Sequence, residues 1–198
     1  TETLLMVAMN HRFRQDTMLL KSLIERGELG IPYFVKAGWL KQHIGEQRWF
    51  TAMDKAGTGV MLDLGIVLLD LLLWMFQYRP VQSVRAMTHR QQTKHVEDFI
   101  HARINFSGGT VATLEAGWSV VRDEFYFCDV YGTKGTAGIN PVKVTRRSGN
   151  ELEAVSHKGE GVSRTTLYQK SYQAELQHFI NAVAGLVPVM STGREAFE

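Results

Sequence analysis

The sequence predicts an α+β domain in which one largely antiparallel, open-faced β-sheet carries helices on a single face. Three observations lead there. Strand-like runs follow one another through the middle of the chain, from Val81 to Arg146, with turn residues rather than helical segments between them. Helical patterns gather before and after this block. Phe99 to Phe106 also alternates with period two, Ile100, Ala102, Ile104 and Phe106 lying opposite His101, Arg103 and Asn105. A sheet covered on one side leaves the other free, so subunits are expected to associate through the open face.

In chain order, Leu4 to Ala8 reads as a short opening strand. Asp16 is placed to cap a helix running to about Arg26, with Leu19, Leu20, Leu23 and Ile24 on one stripe and Gly27 as its stop. Gly30 and Pro32 punctuate before a strand from Tyr33 to Gln42. A polar loop, His43 to Thr58, contains the aromatic pair Trp49-Phe50. An apolar helix, Gly57 to Phe76, then ends near Gln77 to Pro80. Val81 to Met87 is the next strand, and Ser107-Gly108-Gly109 turns the Phe99 strand into Val111 to Trp118, where Ala112, Leu114, Ala116 and Trp118 share a face. Phe125 to Tyr131 and Val142 to Arg146 continue the pattern across the Gly132-Thr133-Lys134-Gly135 turn. A last long helix, Tyr168 to Ala184, carries a stripe of Tyr168, Tyr172, Leu176, Phe179, Ile180 and Val183. Gly185 and Pro188 end it, and Gly193 to Glu198 resembles the start of another helix.

Composition narrows the function classes. A chain of 198 residues, 44% hydrophobic and 21% charged, suits one domain with a sizeable core. Its formal net charge of +2, from 22 basic against 20 acidic residues, gives no reason to expect nucleic acid or an acidic membrane as partner. The apolar stretch from Val60 to Phe76 is at the short limit for a bilayer, which takes about 20 residues, and two aspartates interrupt it. The single cysteine, Cys128, excludes an internal disulfide framework and fits a reducing, cytoplasmic setting.

Few residues remain as candidates for chemistry. No Gly-x-Gly-x-x-Gly opens a helix, no Gly-Lys-Ser/Thr phosphate loop is present, and Gly132 to Gly138 reads as a hairpin turn rather than a phosphate cradle. The seven histidines are scattered at no metal-ligand spacing, and no Gly-x-Ser-x-Gly elbow exists. The apolar helix stands out because it carries Asp63 and Asp70, seven residues apart and so expected on one face with Val67 between them. Ionised groups on such a helix are costly unless paired or used. Asp70 is read as structural, paired with an arginine such as Arg12 or Arg48. Asp63, at the first turn after Gly57 and Gly59, is the better catalytic candidate: a helix start on a glycine turn admits a polar ligand and favours an ionised carboxylate.

At these residues the chain resembles the glucose–fructose oxidoreductase / inositol dehydrogenase (Gfo/Idh/MocA) family, in its C-terminal domain. Val7-Ala8-Met9-Asn10-His11-Arg12-Phe13 is similar to the family's last nucleotide-domain strand and Asn-x-Arg-Phe segment. Glu28-Leu29-Gly30-Ile31-Pro32 is similar to its turn before the first sheet strand, and Gly57 to Gly65 to its Gly-Gly-Gly-x-x-x-Asp-x-Gly helix start. Glu97-Asp98-Phe99, Gly132 to Thr136 and Glu175 to Phe179 follow in the family's order. The resemblance implies an upstream Rossmann domain that binds NAD or NADP and bears a catalytic lysine in a Glu-Lys-Pro segment. On that basis residues 1–9 are expected to be the end of that domain or a linker, and residues 10–198 a substrate-binding and oligomerisation domain, inactive alone. In the family's Asp-x-x-x-His pattern the Asp matches Asp63, but the His position holds Val67. The expected function is an NAD(P)-dependent oxidoreductase of a sugar, polyol or related hydroxy or keto compound. Asp63 is its catalytic residue, Arg12, Arg48 and Trp49 its substrate contacts, and Val67 shapes the pocket. No residue of this stretch is assigned to cofactor or metal. Because valine transfers no proton, a non-catalytic ligand sensor or assembly subunit is the alternative, and an isolated dimerisation module is a third.

Overall fold

The computed structural model describes residues 3–42, 55, 57, 59–148, 151–155 and 163–198. A mixed sheet of eight strands forms the body: β1 (Pro32–Leu40), β2 (Val81–His89), β3 (Phe99–Phe106), β4 (Val111–Gly117), β5 (Phe125–Gly132), β6 (Gly135–Ile139), β7 (Lys143–Ser148) and β8 (Glu151–Val155). Their order across the sheet is β2-β3-β4-β1-β5-β6-β7-β8. All neighbours are antiparallel except β1 and β4, which run parallel from Phe34/Val111 to Leu40/Gly117. β1 is therefore the spine: the meander β2-β3-β4 docks on one side, and β5 to β8 build outward from the other.

The helices are α1 (Gln15–Glu25), α2 (Ile66–Met75), α3 (Arg164–Val183) and a short α4 (Gly193–Phe197). Asn10–Phe13 forms a 3-10 turn, and a π-helical turn, Met61–Gly65, leads into α2. The core lies between α1, α2 and one face of the sheet. Leu20 and Leu23 of α1 and Leu68, Leu71 and Leu72 of α2 are buried over Val35, Ala37, Leu114 and Cys128. The α+β expectation therefore holds, with strand alternation sorting apolar side chains under the helices.

The opposite face is open and carries aromatic rings. Phe127 crosses β1 at Gly38, where a Cβ would sit 2.3 Å from the ring. Phe125 stacks beside it at 4.9 Å between centroids.

Several local expectations are corrected. Leu4 to Ala8 is not a strand: Met6 makes only an isolated bridge to Thr192. Asp16 does not cap α1; Arg14 stands at the N-cap, and the Asp16 carboxylate instead takes the Arg14 guanidinium, with Nη2–Oδ2 2.7 Å, and the Thr17 amide. β6 and β8 are additional strands. The stripe on the last helix faces outward, and α3 instead buries Ser171, Glu175 and Ala182. The final helix does form, closed by a capping box of Thr192 and Glu195.

Arg12 joins the helical elements. It is fully buried, and its Nε donates to Asp70 Oδ2 of α2 at 2.8 Å while Nη2 binds Asp70 Oδ1. Nη2 also donates to the Tyr78 hydroxyl, and Nη1 donates to Glu195 of α4 at 3.3 Å. Burial opposes the charge, but the Asp70 carboxylate more than offsets it and holds the guanidinium above its usual range. Removing one partner leaves an uncompensated charge in the interior. Arg12→Met is therefore expected to cost about 3–5 kcal/mol in urea unfolding, and Arg12→Met combined with Asp70→Leu to regain most of that loss. Additive losses in the double variant would show that the pair does not act as a unit.

Candidate functional site

The start of the apolar helix is fixed by a close approach to the β2–β3 corner. The Val60 amide donates to the Glu97 carbonyl at 3.0 Å, and the Glu97 carboxylate accepts from the amides of Gly59 at 2.9 Å and Met61 at 3.2 Å. A Cβ at residue 59 would lie 2.0 Å from the Glu97 carbonyl oxygen, so only glycine fits. Asp98 anchors the same corner by accepting the amides of Gln91, Gln92 and Thr93. Two segments far apart in sequence, Gly59 to Met61 and Glu97-Asp98, thus form one joint. The expectation that this glycine turn offers backbone amides to a ligand is corrected: Glu97 already occupies them.

From that joint the π-helical turn presents Asp63, whose side chain is 43% exposed and therefore accessible to a ligand. Trp118 Nε1–H, at the end of β4, donates to Asp63 Oδ2 at 2.8 Å, and Lys41 Nζ, just beyond β1, lies 3.6 Å from the same oxygen. Asp63 and Asp70 do not share an environment. Asp63 lies with the ends of β1 and β4, whereas Asp70 is buried against Arg12, the structural role read for it. A π turn carries an extra residue per turn relative to an α turn, so a spacing of seven no longer closes two turns.

Asp63 and Lys41 line a cavity of about 440 Å³ whose walls include Trp39, Tyr126, Tyr168 and His11. The rings interlock, with His11 4.9 Å from Trp39 and 5.0 Å from Tyr126. Glu124 accepts from Trp39 Nε1 at 2.7 Å, and Asn140 Nδ2 donates to the Tyr126 carbonyl at 2.6 Å. Arg14 stacks 4.8 Å over the Tyr126 ring while paired to Asp16. Burial, seconded by Arg14, lowers the His11 imidazole to about 3 and keeps it neutral. The Tyr172 hydrogen bond and partial burial raise the Tyr168 phenol to about 12.

The expected site residues fall in different places. Asp63 lines the cavity. Arg12 does not: its guanidinium is spent on Asp70, Tyr78 and Glu195, a correction to its reading as a substrate contact. Val67, half-buried on α2, is not part of the cavity wall. Arg48 and Trp49 lie outside the described residues. Lys41, Trp39, Trp118 and His11 were not singled out from sequence. Trp118 reads there as a core residue, and its indole is indeed buried while its N–H reaches Asp63. Among the described residues no cluster suits a metal ion, and no helix is long and apolar enough to cross a membrane.

A family model described as the GFO/IDH/MocA C-terminal domain matches residues 17–138. D-glucoside 3-dehydrogenase of Escherichia coli (strain K12) is 26% identical over 208 residues, covering 94% of this chain and 56% of the relative. 1,5-Anhydro-D-fructose reductase of Ensifer adhaerens is 25% identical over 194 residues, again covering 94% and 56%. The chain thus spans little more than half the length of these relatives. Among solved structures, levoglucosan dehydrogenase in complex with NADH and levoglucosan superposes with a TM-score of 0.82 at 18% identity, covering 96% of this chain and 60% of that one. The WlbA dehydrogenase from Bordetella pertussis, in complex with NADH and UDP-GlcNAcA, gives 0.76 at 21% identity, covering 96% and 57%.

The neutral His11 sets a pH dependence. Its folded-state value lies below the unfolded one, so between about 3 and 6.5 the unfolded chain binds the extra proton. Its contribution is complete above the unfolded value and is lost as pH falls through this window. The melting temperature is expected to drop from pH 7 to pH 5, and His11→Phe to flatten that drop. An unchanged slope in the variant would remove His11 as the cause.

Proposed function

Because the chain belongs to the GFO/IDH/MocA family as a C-terminal domain, we propose that it forms the substrate wall of an NAD(P)-dependent oxidoreductase acting on a sugar, polyol or related hydroxy or keto compound. The observation that carries the reading is the Asp63 carboxylate, held by Trp118 and Lys41 at the edge of an aromatic cavity. Aromatic faces suit the C–H surface of a polyhydroxy ring, and a few placed polar groups fix its hydroxyls. The two curated relatives, a glucoside dehydrogenase and an anhydrofructose reductase, support the substrate class. Residues 10–198 are proposed as the substrate-binding and oligomerisation domain, with residues 1–9 as the end of a preceding domain or a linker.

Both described Asp63 contacts fall on Oδ2, and Oδ1 is assigned to the substrate hydroxyl. Accepting that hydrogen bond orients the carbon bearing the hydroxyl and draws on its proton as oxidation proceeds. The Lys41 ammonium beside Asp63 stabilises the carboxylate and any alkoxide character on the substrate. Val67 supplies no proton-transferring group, and His11, held neutral, offers hydrogen bonds only. Arg48 and Trp49 stay proposed substrate contacts, in the stretch of sequence between Lys41 and the helix start that carries Asp63.

NAD or NADP is the proposed cofactor and, when bound, gives or takes the hydride. The Asp63 side of the cavity suits the substrate end of such a pair. The described residues do not suit its phosphates: the glycine turn before Asp63 is closed by Glu97, and Gly132 to Gly135 is a turn between strands. A homodimer or larger assembly is proposed through the open sheet face, on the aromatic surface around Phe127 and Gly38. A cytoplasmic setting is proposed on the single, buried Cys128.

Val67 favours one second reading, a family member that binds ligand without turning it over. In the longest form its gene encodes, Asp63→Asn is expected to lower kcat about 10²–10⁴-fold, the range of a general acid or base, with NADH binding retained. Unchanged turnover would remove Asp63 from the mechanism. Absence of cofactor turnover in the parent protein with any glucoside, ketose or polyol would favour the sensor.

A further inference from the structure

A second cavity, of about 300 Å³, opens where the β5–β6 turn meets β7 and β8. Tyr33 of β1 borders it, whereas Trp39 of the same strand borders the Asp63 cavity. About 20 Å of extended strand lies between those two residues, so the chambers are separate. The wall of the second one holds three cations, Lys134, Arg146 and Arg147, and no carboxylate. Arg146 is partly answered, since Nη2 pairs with Glu28 and Glu153 stands opposite it on β8. Its Nε, shut off from solvent, has no acceptor. The Lys134 ammonium and the Arg147 guanidinium have no ion-pair partner among the described residues, and the hydroxyls of Thr136 and Thr145 in the same wall make no hydrogen bond there. Cations gathered in a concavity without counter-charge focus a positive potential into it.

The frame that carries these donors is fixed. Gly132 lets the turn press on the Leu29 carbonyl, 2.1 Å from where a Cβ would stand. The Thr133 and Lys134 amides donate to the carbonyls of Ile31 and Leu29 at 3.1 and 2.9 Å. The Arg147 amide donates to the Lys134 carbonyl at 3.0 Å, which holds the two unpaired cations on neighbouring backbone. With its amides engaged, the turn is no backbone cradle of the kind that opens a helix; what it presents is side-chain donors. Thr133 Oγ1 accepts from the Ile31 amide at 3.0 Å and keeps its own proton to donate. Two uncompensated cations beside hydroxyl donors match a dianionic phosphate, which carries close to two charges at neutral pH. Tyr33 and Leu152, 53% and 74% exposed, add apolar surface that a bare anion would not use. The volume is at the lower end for small-molecule pockets.

We propose that this cavity binds a small phosphate monoester, its phosphate between Lys134 and Arg147 and its carbon body against Tyr33 and Leu152. The site is independent of the Asp63 cavity and of the reaction proposed there. It is tested by calorimetric titration of the longest form the gene encodes, at constant ionic strength, with glycerol phosphate, glucose phosphate, adenosine monophosphate and inorganic phosphate. At least one ester is expected to bind more tightly than inorganic phosphate, with an affinity that rises as the pH passes about 6, where a monoester takes its second charge. Lys134 and Arg147 are exposed, so their variants are expected to fold. Lys134→Gln and Arg147→Gln are each expected to weaken that ester about 10- to 100-fold, the range for a hydrogen bond to a charged group. Tyr33→Ala is expected to weaken the ester and leave inorganic phosphate unchanged. No binding of any ester, or equal binding by the parent and the Lys134→Gln, Arg147→Gln double variant, overturns the site. Inorganic phosphate bound as tightly as every ester overturns the assignment to a monoester. A parent that sediments as a dimer and binds no ester, with the double variant a monomer, assigns the cations to a second copy and also overturns it.

Discussion

One buried guanidinium holds the helical side of the domain together. Arg12 is at once the ion-pair partner of Asp70 in α2, a donor to Tyr78 beyond that helix, and a contact of Glu195 in α4. The 3-10 turn that carries Arg12 also seats α3 through Asn10 and Ser171. Elements far apart in sequence are thereby brought to one point inside a low-dielectric interior, where a charge without its partner is intolerable. The geometry of the cavity follows, because His11, one residue earlier, is carried into the cluster of Trp39 and Tyr126 by the same turn.

The site is a second, independent joint. Glu97 closes the start of the apolar helix, Gly59 permits the approach, and the π-helical turn beyond it swings Asp63 toward Trp118 and Lys41. The carboxylate that does not work, Asp70, is held in the interior; the one proposed to work is left accessible at the rim. The same helix thus serves the core with its α-helical part and the cavity with its π turn, a division that functional helices often show.

Much of the fold was legible because it rests on local signals. Alternation in Phe99 to Phe106 and Val111 to Gly117, and Gly27 at a φ of 67° after α1, act over a few residues and read directly. What could not be read depends on partners remote in the chain. β6, with its glycines, lacks strand character on its own; Gly138 is there because the Asp129 carboxylate lies 2.1 Å from where a Cβ would stand. The parallel pairing of β1 with β4 joins strands that the apolar helix, β2 and β3 separate in the chain. The pairing of Arg12 with Asp70 was one of several options, and only the fold selects it over a substrate contact. Asp63 was legible as a candidate from its motif. Lys41 and Trp118, which hold it, were not, since nothing in sequence says that two strand ends converge on one helix start. The stripe on α3 was read correctly as a stripe; which way it faces is a tertiary fact.

The sheet also ends on a strand, β2, that is exposed along its whole length, Val84 and Met87 included. A bare edge of this kind is a template onto which further strands can add without limit. Arg85 stands directly across from Arg103 of β3, so the edge carries paired like charges at its middle. A second copy arriving edge to edge would bring another such pair against them. Like charges directly across from one another cost stability within the sheet, and at its margin they disfavour the addition of a further strand.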